Sequence, residues 1–169
     1  MPIVVTGLSH HSSPVELRER FAFSDAQIAD ALGQLREQGI ADESVILSTC
    51  NRVEIYAATR DDDPALGQVL RRFLCDFHSI DSVPGGELYT HRDPQSVDHL
   101  FRVSCGIDSM VLGETEILGQ LKQAYKLAHA EKATGAQLNK TFQKAFNVAK
   151  LVRSETQIQR GSISVSSVA

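Results

Sequence analysis

Apolar positions change period several times along the chain, and the changes mark its elements. Ile3 to Leu8 is a β-branched run leading into Ser-His-His-Ser-Ser-Pro. Ser13-Pro14-Val15-Glu16 has the spacing of a capping box with proline at the first helical position, which predicts a short helix through Arg20. Ser24-Asp25-Ala26-Gln27 is a second capping box. It opens a helix with Ile28, Ala31, Leu32 and Leu35 on one face, stopped by Gly39. Val45–Leu47 and Val53–Ala57 are predicted strands, joined by Ser48-Thr49-Cys50-Asn51-Arg52. Asp61-Asp62-Asp63-Pro64 turns into a helix with apolar Leu66, Val69, Leu70, Phe73, Leu74 and Phe77. A last short strand, Glu87 to Thr90, follows the Pro84-Gly85-Gly86 break.

The order β, α, β, β, α, β predicts an α+β fold, a ferredoxin-like split βαββαβ antiparallel sheet with helices on one face. A helical C-terminal third follows. Asp93-Pro94 starts a segment carrying Val97, Leu100 and Phe101. Glu114 to Glu131 carries Ile117, Leu118, Leu121, Ala124, Tyr125 and Ala128. Leu138 to Glu155 carries Phe142, Ala145, Phe146, Ala149 and Val152 at helical spacing. Residues 1–156 are expected to form one domain. Residues 157–169, with Gly161-Ser-Ile-Ser-Val-Ser-Ser-Val-Ala, are expected to begin a connection to a further element.

Composition narrows the class. A chain of 169 residues with 42% hydrophobic and 22% charged content is that of an ordinary globular protein. It has no run of about 18 apolar residues to span a bilayer, and its start lacks the basic and apolar regions of a signal peptide, so a cytoplasmic protein without membrane association is expected. Cys50, Cys75 and Cys105 form no CxxC pair and read as free thiols, with no metal site expected. The net charge of −4 is unevenly spread. Residues 1–116 hold nine arginines, no lysine and nineteen carboxylates, a balance of −10; residues 117–160 hold eight basic side chains against Glu131 and Glu155, a balance of +6. The basic third presents either a solvated helix surface or a face for a polyanion.

Two segments are dense in candidate chemistry. Cys50 lies at a strand end, and an extended backbone there puts Cys50 and Arg52 on one side. A guanidinium beside a thiol favours the nucleophilic thiolate; it also suits a substrate carboxylate. The alternative is a buried hairpin cysteine and a surface arginine. Cys75 lies in an amphipathic helix and Cys105 ends another, so both read as packing residues. The second segment, residues 106–120, is a loop punctuated by Gly106 and Gly113 and rich in Asp108, Ser109, Glu114 and Glu116. It offers acceptors for an ammonium, and equally reads as an acidic helix start.

Together these segments, Ser48-Thr49-Cys50-Asn51-Arg52-Val53-Glu54-Ile55-Tyr56 and Gly106-Ile-Asp-Ser-Met-Val-Leu-Gly-Glu-Thr-Glu-Ile-Leu-Gly-Gln120, resemble the signatures of the glutamyl-tRNA reductase family. The resemblance extends to residues 7–19, to Val152-Arg153-Ser154-Glu155-Thr156 and to residues 161–167, covering essentially the whole chain. It implies reduction of glutamyl-tRNA to glutamate-1-semialdehyde with NADPH, in tetrapyrrole (porphyrin) biosynthesis. By resemblance Cys50 is the nucleophile that forms a glutamyl thioester, and His99 is a second catalytic residue, expected to assist at the carbonyl or to act as acid–base partner for Cys50. Thr49, Asn51 and Arg52 match the family's substrate motif, with Arg52 the candidate for the side-chain carboxylate. Ser109, Glu114, Thr115, Glu116 and Gln120 match further substrate contacts, with Glu114 the candidate for the α-ammonium. Many members carry Gln where this chain has Glu116. No GxGxxG follows a strand, so the NADPH site is expected in a domain absent from this chain. The family forms homodimers through a later domain; this chain is expected to be a monomer or weak dimer. Lys140, Lys144, Lys150 and Arg153 recur at helical spacing, as a face for tRNA phosphates would. The competing reading is a non-catalytic tRNA- or partner-binding module in which Cys50 is a bystander.

Overall fold

The computed structural model describes residues 1–83 and 85–158. Pro84 and the final stretch containing Gly161 to Ala169 lie outside the described residues. Ten elements follow one another: β1 (Ile3–Ser9), α1 (Val15–Phe21), α2 (Asp25–Glu37), β2 (Glu43–Ser48), β3 (Arg52–Ala58), α3 (Leu66–Phe77), β4 (Tyr89–Arg92), α4 (Gln95–Ser104), α5 (Glu116–Ala130) and α6 (Ala136–Glu155).

The sheet runs β2-β3-β1-β4, and every neighbouring pair is antiparallel. β1 and β2 are therefore parallel to each other with β3 inserted between them, the split βαββαβ topology expected from the sequence. Side-chain parity sorts the two faces. Leu8, Thr6 and Val4 share a face with Val53, Ile55, Ala57 and Thr90. There α3 packs so closely that a Cβ on Gly67 would strike the Thr90 side chain. The opposite face carries Ser9, Gly7 and Val5 with Arg52, Glu54, Tyr56, Tyr89 and His91. The helical third covers it: Phe142 of α6 meets Tyr56 edge-on at 5.4 Å, and His99 of α4 reaches Glu54. All of β1 and β3 is buried as a result, so Arg52, Glu54 and Tyr56 lie inside the protein.

Several local expectations hold. Ser24 and Gln27 form the reciprocal capping box, and Gly39 ends α2 with φ +68°. Two are corrected. The Ser13 capping box does not form: Ser13 Oγ donates to the Ser9 carbonyl 3.1 Å away, tightening the turn after β1 instead, and α1 has no side-chain cap. β4 is shifted two residues on from the predicted Glu87 start, because its pairing with Val4 to Gly7 runs from Tyr89 to Arg92. The twenty-residue α6 also lacks a cap of its own, starting after Gly135. The Glu43 carboxylate of β2 supplies one, accepting from Gln137 N (3.2 Å) and Leu138 N (2.7 Å), where the helix dipole favours an anion. A Cβ at Gly135 would collide with that carboxylate.

Candidate active site

The β2–β3 connection is a tight turn. Thr49 N donates to the Arg52 carbonyl at 2.8 Å, and Thr49 Oγ1 accepts from both Asn51 N and Arg52 N at 3.1 Å. A threonine side chain that satisfies two turn amides fixes the loop locally. Cys50, at its tip, is an exposed free thiol. The extended-backbone expectation therefore fails. Arg52 begins β3 and points into the covered face with 1% of its surface exposed. The guanidinium at the Cys50 turn is that of Arg18, whose Nε donates to the Cys50 carbonyl at 3.2 Å.

Beneath the turn lies a buried polar network centred on Glu54, itself 0% exposed. Its Oε1 accepts from Arg52 Nη1 (3.1 Å) and Tyr89 OH (2.5 Å) and bonds His99 Nε2 (2.5 Å); its Oε2 accepts from Tyr56 OH (2.7 Å). Burial alone would push the Glu54 carboxyl up, but the charges of His99 and Arg52 and the bonds from His99 and Tyr89 hold it well below the usual carboxylate range. Burial opposes the His99 charge as well, yet the Glu54 charge and hydrogen bond outweigh it and raise the His99 pKa. Burial and the Glu54 charge together push both tyrosines up, so they stay neutral donors. An anion with four donors is the arrangement that makes a buried charge tolerable.

A second carboxylate completes Arg52. Its Nη2 donates to Asp108 Oδ2 at 2.9 Å and to the Asp108 carbonyl at 2.8 Å. Asp108 belongs to the loop between α4 and α5, and it also approaches His11, whose Nε2 lies 3.3 Å from the same carbonyl and 3.7 Å from Oδ1. Both ring nitrogens of His10 and the Ser109 Oγ are buried without a hydrogen-bond partner. Burial, followed by the His11 and Arg52 charges, lowers the His10 pKa. An exposed thiol, a buried arginine paired with Asp108 and unfilled polar atoms thus occupy one rim of the sheet.

The sequence model described as "Glutamyl-tRNAGlu reductase, N-terminal domain" matches residues 6–156. The chain belongs to this family. Glutamyl-tRNA reductase of Marinobacter nauticus is 48% identical over 166 residues, covering 98% of this chain and 38% of that protein. The Magnetococcus marinus protein of the same name is 47% identical and covers 100% and 40%. The solved structure of glutamyl-tRNA reductase from Methanopyrus kandleri superimposes with a TM-score of 0.75 at 35% identity, over 96% of this chain and 37% of that one. The chain therefore spans about two-fifths of the length of these relatives.

Within this glutamyl-tRNA reductase domain the expected site residues fall into two groups. Thr49, Cys50, Asn51, Arg52, His99 and Ser109 cluster at the turn, the Glu54 network and the Asp108 loop. Glu114 is buried at the end of that loop, while Thr115, Glu116 and Gln120 are exposed at the start of α5. Gln120 lines a groove of about 260 Å³ with Asp25, Ile28 and Ser48, two residues before Cys50. Glu54, Tyr56, Tyr89 and His10 were absent from the sequence-based set. The signal was present for two of them: Arg52-Val-Glu54-Ile-Tyr56 alternates polar with apolar, and the residues paired with these five are all apolar or small.

Lys140 and Lys144 line one groove of α6 with Val148 and Leu151. Lys150 and Arg153 line a neighbouring cleft of about 470 Å³ with Lys122, and the two share Gln143 and Asn147. The single basic face expected from spacing is thus two grooves. Arg153 Nη2 donates to the Thr115 carbonyl at 3.0 Å, linking the cleft to the loop region. Among the described residues no group of three or more His, Cys, Asp or Glu side chains is placed to hold a metal ion, and no helix is long and apolar enough to cross a membrane.

Proposed function

We propose that the chain is the catalytic domain of a glutamyl-tRNA reductase, with Cys50 as its nucleophile and residues 1–156 as the working unit. The observation that carries this reading is the position of Cys50: an exposed thiol on a turn braced by Thr49, directly above a buried network that presents Arg52. The sulfur attacks the carbonyl carbon of the glutamyl ester, an S–C bond forms, and the ester C–O bond breaks. The thiol proton leaves with the attack, and the departing 3′-oxygen of the tRNA takes up a proton. A glutamyl thioester remains, with less resonance stabilisation than an ester and so easier to reduce. Arg52 receives the glutamyl side-chain carboxylate, and Ser109, Thr49 and Asn51 lie where they can contact the rest of the group. His99 serves by holding a proton against Glu54 at the base of the site.

NADPH supplies the hydride in the whole enzyme. The described residues form no cradle for it: the sheet is antiparallel, and none of its strands feeds a glycine-rich turn into a helix. The chemistry derived from these residues ends at the thioester, which water releases slowly as glutamate. The Lys122, Lys150 and Arg153 cleft, connected to the loop through Thr115, follows the phosphate backbone of the bound tRNA. A tRNA substrate is consistent with a cytoplasmic domain, and we expect a monomer or weak dimer.

The test is mass spectrometry of the chain incubated with glutamyl-tRNA. A glutamyl adduct on Cys50, with glutamate release lost in Cys50→Ser, is the expected result. Release that survives the substitution refutes the assignment and leaves tRNA binding, favoured by the basic grooves, as the role of the domain.

A further inference from the structure

Arg52 has two carboxylate partners in different situations. Glu54 is sealed between the sheet and the helical third, whereas the Asp108 side chain is 20% exposed and lies on the outer side of the guanidinium. With Arg52 only 1% exposed, a ligand carboxylate reaches its Nη2 edge only when the Asp108 carboxylate leaves. The exchange is local. Asp108 holds Nη2 through Oδ2 and through its backbone carbonyl, and side-chain rotation breaks only the first of these bonds. The backbone of the surrounding loop is held, with Ile107 N donating to the Arg102 carbonyl at 2.9 Å and Gly113 N to the Gly106 carbonyl at 3.0 Å, so the exchange needs only the Asp108 side chain to move. Gly106 and Gly113 bracket the loop with φ of +75° and +77°, and Ile107, Met110 and Leu112 are exposed. The neighbouring Ser109 Oγ is buried with no hydrogen-bond partner, a second sign that the site is completed by a ligand.

We propose that Asp108 selects the substrate by exchanging ion-pair partners: the incoming glutamyl group places its side-chain carboxylate on Arg52, and the displaced Asp108 carboxylate takes the glutamyl α-ammonium. The proposal rests on Arg52 as the carboxylate recogniser and gives the ligand's ammonium to Asp108 in place of Glu114, which is buried at the end of the loop. A ligand with only the carboxylate evicts Asp108 and leaves it half-buried without its arginine, with only the exposed His11 ring nearby. A ligand with only the ammonium finds Asp108 still engaged with Arg52. A ligand with both charges leaves none unpaired, and removing one partner of such a pair is the costly step. The two charges are therefore recognised cooperatively, which distinguishes a glutamyl group from a glutaminyl group and from a deaminated one.

The test compares four methyl esters binding to the full chain carrying Cys50→Ser, which cannot be acylated on sulfur: L-glutamate α-methyl ester, L-glutamine α-methyl ester, monomethyl glutarate and methyl glutaramate. The expected result is that the ammonium improves affinity about tenfold when the carboxylate is present and about twofold or less when it is absent. In Asp108→Asn on the same background, the ammonium gives the same small factor in both pairs. Equal factors in the parent chain overturn the proposal, provided that Arg52→Lys abolishes the carboxylate preference. A carboxylate preference untouched by Arg52→Lys instead refutes the reading of Arg52. A measurement independent of the Asp108 variant's folding is the 13C resonance of the Asp108 carboxyl in the parent chain. It shifts on saturation with glutamate α-methyl ester if partners are exchanged, and a resonance that stays fixed overturns the exchange.

Discussion

Replacing Glu54 with glutamine changes one oxygen to an amide on a side chain that is 0% exposed and serves four donors. The volume is kept, so the effect is electrostatic. Arg52 and His99 lose their buried counter-ion, and at least one former donor faces the new NH2 group. Removing one partner of a buried ion pair costs about 3–5 kcal/mol, and the network shares one acceptor, so the four bonds do not add separately. For a chain of this size that is a fall in Tm of roughly 6–20 °C. The pH dependence makes the prediction sharper. The folded-state pKa of His99 is raised above 6.5, so its contribution is complete below pH 6.5 and is lost as pH rises through the raised value. That of Glu54 is depressed, so its contribution is present above about pH 4.5 and is lost only as pH falls well below that. In Glu54→Gln the two largest causes that raise His99, the Glu54 charge and its hydrogen bond, are gone, and burial, which lowers its pKa, is opposed only by the weaker Asp108 charge. The gap between the two proteins is therefore widest near pH 5.5 and narrows towards pH 9, where about 1–3 kcal/mol from the Arg52 and tyrosine bonds is left. Urea unfolding at the two pH values measures it. A variant within about 1 kcal/mol of the parent at pH 5.5, or a gap that does not change with pH, refutes the reasoning.

Three further outcomes follow from the same geometry. Iodoacetamide modifies Cys50 at least about tenfold faster than Cys75 or Cys105, because burial shields those thiols and pushes their pKa up; equal rates in peptide mapping contradict this. Gly7→Ala brings a Cβ onto the Val53 carbonyl oxygen and the Glu54 Cα, backbone atoms of the paired strand, and destabilises by about 2–3 kcal/mol in chemical unfolding; a change below about 0.5 kcal/mol shows that β1 and β3 separate more easily than their close approach implies. Lys122→Glu with Lys150→Glu weakens tRNA binding and reduces the slope of log affinity against log salt by about 0.9 for each phosphate no longer neutralised, and an unchanged slope removes the cleft from the interface.

The sequence by itself determined the elements and much of the topology, because those depend on local periodicity and on punctuation. Ser24 to Gln27 and Gly39 bound α2, the alternation in Val53 to Ala57 marks β3, and the order of elements leaves few ways to pair four strands. The motifs around Cys50 and Gly106 carried the family in the same way, as runs of adjacent residues. Partners distant in the chain were decided by the tertiary structure. Whether Arg52 faced Cys50 or the interior depended on the turn that Thr49 builds and on which sheet face α4 to α6 came to cover. Once they covered the face of Arg52, Glu54 and Tyr56, the charges of Arg52 and Glu54 had to be neutralised inside. His99, 45 residues away from Glu54, and Asp108, 56 away from Arg52, were brought in to do so. Burial turns sequence-distant polar groups into obligatory partners, and local spacing holds no record of which ones will meet.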